Sequence, residues 1–288
     1  MSDCSSGDAV VELISSQGWL QVDLVPGNAL AAFIPEAVLE AQFGGALPAY
    51  WALASHSCTV HARNYDDAPT VEWVACKLVK KKAYNKCLNA LNPRKLHLPL
   101  GEKQHLELKI QRRIWTPRSA LPELNRIDLG LDESSKETFA YWMGHSYTRI
   151  AMPDKLVERL RFSDDTPAVV GLGVQVDQFI QEKGDWLHSA WVSFEPKDEL
   201  LVPTEPYTVS FRFLIKNQHK RSLHEAQQCL EALLQAVLPL SAGLTFDGAE
   251  VGPLQDFTML DAEAYTRYNI HDWLSLGDND ADDEGEEE

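Results

Sequence analysis

Reactive side chains are most concentrated in the run His56-Ser57-Cys58-Thr59-Val60-His61. An imidazole beside a thiol can take its proton, and the thiolate is the nucleophile, so His56 and Cys58 form the candidate catalytic pair. On a strand, alternation would put His56 and Cys58 on one side and His61 on the other. The plainer reading of the same run is a small cysteine on a core strand. Two ligands on one side do not complete a zinc site.

A second candidate follows at once. Asp66, Asp67 and Glu72 are three carboxylates around an expected hairpin, the kind of set that holds Mg²⁺ for phosphodiester hydrolysis. Lys77 would serve such a site only through a bulge, because a regular strand sends it and Glu72 to opposite faces. Further on, Trp142, Tyr147, Arg149 and Asp154 make a dense polar and aromatic segment. Arg149 is the candidate anion-binding residue there, since a guanidinium suits bidentate contacts, with pairing to Asp154 as the structural alternative.

No cofactor fingerprint is present. Gly171-Leu172-Gly173 lacks the third glycine of a dinucleotide loop, and no phosphate-cradling loop, H-E-x-x-H or G-x-S-x-G occurs. The five cysteines are scattered and odd in number, with no C-x-x-C, which points to reduced thiols in a cytoplasmic protein. No secretory signal opens the chain, and no run approaches the roughly 20 apolar residues of a membrane span.

Charge is distributed unevenly. The net charge of the 288 residues is −17, yet Lys77 to Arg126 holds thirteen Lys or Arg against three acids. That stretch is the candidate footprint for nucleic acid, with Lys80, Lys81, Lys82, Lys86, Arg94, Lys95, Arg112 and Arg113 on phosphates and Tyr84 and Trp115 stacking on bases. The competing expectation is that these cations pair with acids elsewhere. Screening over a Debye length of about 8 Å lets a local basic patch work within an acidic chain. Asp278 to Glu288 carries eight acids in eleven residues, a density that predicts disorder over 277–288.

The elements that must position these residues divide by periodicity. Strands are expected at Val10 to Ile14, Trp19 to Val25, Tyr50 to Ala62, Thr70 to Val79, Lys95 to Leu100 and His105 to Trp115, with a helix begun by Pro35 and ended by Gly44. Helices are expected over Asp132 to His145 and Pro153 to Leu160, while Pro167 to Lys183 fits either type. Leu187 to Phe194 and Tyr207 to Lys216 read as strands. A helix from Leu223, with a Ser222–Glu225 capping box, runs to Pro239. The expected class is α+β: a β-rich N-terminal half, as a curled sheet or small barrel, then helices and a sandwich-like C-terminal part. The expected division is a disordered start over 1–9, domains over 10–126 and 127–276, and the acidic tail.

Ser55-His56-Ser57-Cys58-Thr59-Val60, Asn92-Pro93-Arg94-Lys95-Leu96-His97-Leu98 and Trp142 through Tyr147-Thr148-Arg149-Ile150-Ala151-Met152-Pro153-Asp154 together resemble a pattern in uncharacterised bacterial proteins often found near mobile elements. The resemblance implies a bacterial or phage setting and no particular activity. The leading functional expectation is a non-catalytic protein that binds DNA or RNA, or a partner bound to them, through residues 77–126. A metal-dependent nuclease or Cys/His enzyme is the second. The third is an acidic inhibitor or immunity-type protein with a protein partner.

Overall fold

The computed structural model describes residues 4–148, 152–161, 171–198, 205–235 and 243–268. Arg149 and the acidic tail lie outside them. The chain is α+β and divides into two compact units, Met1–Ala83 with Pro93–Thr148, and Tyr84–Asn92 with Arg149–Glu288.

The first unit contains α1 (Cys4–Gln17), β1 (Leu24–Pro26), α2 (Glu36–Phe43), β2 (Tyr50–Leu53), α3 (Ser57–Val60), β3 (Thr70–Val79), β4 (Lys95–Pro99), β5 (His105–Pro117) and α4 (Glu133–Thr148). Its antiparallel sheet has the order β1-β2-β3-β5-β4. The outer strands β1 and β4 do not pair, so the sheet is open and the small-barrel alternative is set aside. One face buries Trp19, Trp51, Trp73, Ile114 and Leu121 around Ile14 of α1, with Trp19 edge-on to Trp73.

Three expected strands differ. Val10 to Ile14 lies within α1, and the helix begins at Cys4, inside the stretch expected to be disordered. Val10 and Ile14 are four apart and reach the same core, a helical rather than an alternating placement. The Ser-Ser-Gln-Gly cluster then ends the helix: Gly18 takes φ +63° and its amide returns to Ile14 O. From Trp19 to Val25 only the last two residues enter a strand. The strand expected over Tyr50 to Ala62 stops at Leu53, and His56 begins the single turn α3.

Residues 127–148 group with the first unit, where α4 packs on β4. Its residues Phe139, Trp142 and Met143 are buried. Asp132 accepts the Ser135 amide at 2.8 Å and caps the helix. Residues 84–92 join the second unit instead. The side-chain amides of Asn85 and Asn89 donate there to the carbonyls of Gln181 and Gly184, which a helix end leaves without intrahelical donors.

The second unit contains α5 (Asp154–Arg161), α6 (Leu172–Lys183), β6 (Leu187–Glu195), β7 (Tyr207–Ile215), α7 (Leu223–Gln235), β8 (Leu244–Pro253), α8 (Met259–Ala264) and β9 (Thr266–Arg267). Its sheet has the order β8-β7-β6-β9, with β7 and β8 parallel on either side of α7. The ambiguous glycine pair resolves into helix α6. Gly171 is required where α5 ends, because a Cβ there would lie 2.3 Å from Arg161 O. Glu225 pairs with Lys183 at 3.0 Å. A reciprocal capping box forms at Thr258 and Asp261 on α8, where none was expected.

Candidate functional site

His56 and Cys58 do meet, by a different route from a shared strand face. His56 is the N-cap of α3, and its Nδ1 accepts the Cys58 backbone amide at 3.2 Å. An amide can only donate, so Nδ1 presents its lone pair, and the Cys58 Sγ lies 2.8 Å from that same atom. Both side chains are exposed. Arg118 builds this turn from the other side. Its buried guanidinium donates to the carbonyls of Thr59, Val60, Ala62 and Asn64, and it lies 5.1 Å from the Tyr65 ring centroid.

The carboxylates of the nuclease reading are not gathered. Asp66 and Asp67 are exposed in the loop before β3, where Asn64 accepts the Asp66 amide and donates to Asp67 at 3.0 Å. Glu72 accepts from Arg113 at 3.0 Å and from the Tyr147 hydroxyl. The irregularity in this pairing lies in β5 and leaves Lys77 well apart from Glu72: Val74 faces Arg113 while Cys76 faces Leu108.

The basic stretch separates into engaged and gathered cations. Arg113 is held by Glu72 and Tyr147, and its guanidinium carbon is 5.9 Å from the Trp115 ring centroid. Arg126 binds Asp23 and the carbonyls of Gln17 and Gly18. Lys86 belongs to the second unit, and Arg94 and Arg112 are half-buried in the first.

The gathered set stands on β3, β5 and β4. Antiparallel partners share a sheet face, as do residues two apart along a strand. Lys77 and His97 both face Glu107, and Lys95 faces Lys109. Lys77, Lys95, His97, His105, Glu107 and Lys109 therefore occupy one face, while Leu96, Leu98, Leu106 and Leu108 fill the other and are buried. Beyond the end of β3, Lys80, Lys81 and Lys82 are exposed. The Lys81 carbonyl accepts His105 Nδ1–H at 2.9 Å, which ties this lysine run to the same end of the sheet.

Within this face, His97, His105 and Glu107 were not anticipated as a group. Their ligand atoms lie within 4.8 Å of one another. The two rings stack at 4.1 Å, and His97 Nε2 lies 3.4 Å from Glu107 Oε2. Burial would raise the Glu107 carboxyl, but the His97 hydrogen bond and the charges of Lys95 and Lys109 bring it down to about 2. Burial, and after it the charge of His97, lowers the pKa of His105. A signal for the group was available. His105-Leu106-Glu107-Leu108 alternates polar and apolar, and His97-Leu98 repeats that alternation on the neighbouring strand. The cross-strand register needed to align them was not.

Compared with known proteins, the chain matches no family, no curated protein and no solved structure.

Proposed function

We propose that the chain is a non-catalytic binding protein that takes the phosphate backbone of a nucleic acid on the lysine-bearing face of β3, β5 and β4. The observation that carries this reading is the direct cross-strand placement of Lys95 against Lys109, with Lys77 on the same face. Like charges directly opposite on a sheet are unfavourable by some tenths of a kcal/mol or more. A bound phosphate relieves that repulsion, as the Glu107 carboxylate does in part. The exposed run Lys80 to Lys82 extends the positive surface beyond the strand end.

Binding of this kind is dominated by counterion release, so it weakens steeply with salt and discriminates little between sequences. The test is fluorescence anisotropy of labelled single- and double-stranded DNA and RNA across a salt series. The reading expects affinity that falls linearly with salt on logarithmic axes. No binding by any of the probes at low salt would overturn it.

A second reading has its own observation, the exposed Cys58 thiol 2.8 Å from His56 Nδ1. That contact supports a reactive thiol, since proton transfer to the imidazole leaves the nucleophilic thiolate. Timed alkylation with mass-spectrometric readout tests it. Cys58 should be labelled before the buried Cys76 and Cys87, and His56→Gln should slow its labelling about tenfold. Equal Cys58 rates with and without the imidazole would remove the pair from consideration.

A further inference from the structure

We infer that His97, His105 and Glu107 form a binding site for a single divalent transition-metal ion of the zinc type. Three features of the arrangement lead there.

The first is the tautomer of His105. A backbone carbonyl can only accept, so the 2.9 Å contact with Lys81 O puts the proton on Nδ1 and leaves the lone pair on Nε2. That Nε2 is buried and has no hydrogen-bond partner among the described residues. His105 itself is 1% exposed. A buried imidazole that donates one nitrogen to a carbonyl while the other meets no donor is in the state a metal ligand requires. The carbonyl on the far side orients the ring and raises its basicity.

The second is convergence. Two ligands held about 2.1 Å from a tetrahedral zinc ion are roughly 3.4 Å from each other. His97 Nε2 and Glu107 Oε2 are already 3.4 Å apart. All three ligand atoms lie within 4.8 Å of one another, so fanning the stacked rings slightly apart brings the third into place. The three residues come from two paired strands, with His97 directly opposite Glu107 and His105 two positions along. Sheet register therefore holds the set without help from a loop.

The third is the choice of ion. Two imidazoles and one carboxylate form a borderline set that suits zinc and its neighbours rather than Mg²⁺ or Ca²⁺. Three protein ligands leave one position open. Lys77, Lys95 and Lys109 share this face. They weaken the hold on a bare dication and favour an anionic oxygen, such as hydroxide or phosphate, as the fourth ligand. The inference does not depend on nucleic-acid binding, and its test contains none.

The experiment is titration of chelator-treated full-length protein with Co²⁺, followed by displacement with Zn²⁺. A four-coordinate site gives an intense visible d–d absorption, whereas ions scattered over exposed carboxylates remain six-coordinate and nearly colourless. One equivalent of Co²⁺ should develop the band and one equivalent of Zn²⁺ should bleach it. His105→Asn should abolish it, and Glu107→Gln should weaken Co²⁺ binding at least tenfold. Circular dichroism checks that each variant is folded. Should His105→Asn fail to fold, Glu107→Gln decides the matter, because its side chain reaches the surface and keeps its shape. A wild-type protein that develops no band, or a band of equal strength and affinity in folded Glu107→Gln, would overturn the inference.

Discussion

Two regions of the same sheet arrange positive charge differently. Near the start of β3, Arg113 is bracketed by Glu72, Tyr147 and Trp115, and the cluster is electrically closed although Trp115 and Tyr147 are 57% and 64% exposed. Near the end of β3, three lysines on three adjacent strands share a face whose one acid on the paired positions, Glu107, also answers to His97. The first region follows the ordinary rule that half-buried cations find carboxylates. In the second, strand register sets Lys95 directly against Lys109, and a like-charge juxtaposition of this kind is where function is to be sought. The comparison teaches that thirteen cations in fifty residues are not one surface. What separates them is strand register.

Four variants would sharpen or break this contrast. The largest effect is expected from Arg118→Ala. Its guanidinium is buried and serves four carbonyls, so its loss should cost roughly 3 kcal/mol or more by chemical denaturation. If Arg118→Ala were as stable as the parent, the view of the α3 turn as held by this cation would fail. Next, replacing Lys77, Lys95 and Lys109 together by Gln should lower nucleic-acid affinity about a hundredfold at low salt. It should also reduce the logarithmic salt slope by roughly 2, at about 0.7 per lost contact to a single strand. Thermal melting should show the triple variant within about 1 kcal/mol of the parent, because relief of the Lys95–Lys109 repulsion offsets the lost attraction of Lys95 and Lys109 to Glu107.

Smaller effects come from the closed region. Arg113→Gln should cost about 1 kcal/mol, measured by denaturation, because it removes a half-buried pair with Glu72. Its nucleic-acid affinity should stay within twofold of the parent. Asp132→Ala removes the cap of α4 and should cost about 1 kcal/mol, again without an effect on binding. A large binding defect in Arg113→Gln would merge the two regions and undo the contrast.

Much of the fold was legible in the residues. Alternation in Leu106, Leu108 and Ile110 marks β5, and Val209, Phe211, Phe213 and Ile215 mark β7. The helix beginning at Leu223 follows from its spacing. Where the reading failed, a competing local interaction decided. Val10 to Ile14 contains β-branched residues with strand preference, but the spacing of Val10 and Ile14 toward one core made a helix. The strand expected through His56 to His61 gave way to a turn because Arg118, nearly sixty residues on, collects the turn's carbonyls. Nothing within the run itself announces that partner.

The sites were legible to a lesser degree. Proximity of His56 to Cys58 needs only two residues and survived the change from strand to helix. Grouping Asp66, Asp67 and Glu72 required a hairpin that would bring them together, and Asn64 and Arg113 hold them apart instead. The lysines and histidines of β3, β4 and β5 share a face only through pairing register. A shift of one residue in β4 would send His97 and Lys95 to the opposite face. Composition marked the basic stretch along the chain and named Arg113, which pairs with Glu72, but gave no means of seeing that Lys77 and Lys109 share a face with Lys95.

The central claim is that register, rather than charge count, selects the cations that bind. The most direct test compares two variants that each remove three positive charges: Lys77, Lys95 and Lys109 to Gln, and Arg112, Arg113 and Arg126 to Gln. Both would be titrated with the same labelled single-stranded DNA at one low salt concentration, with folding verified by circular dichroism. The account predicts a loss of about a hundredfold for the lysine set and less than about threefold for the arginine set. Equal losses in the two folded variants would contradict it.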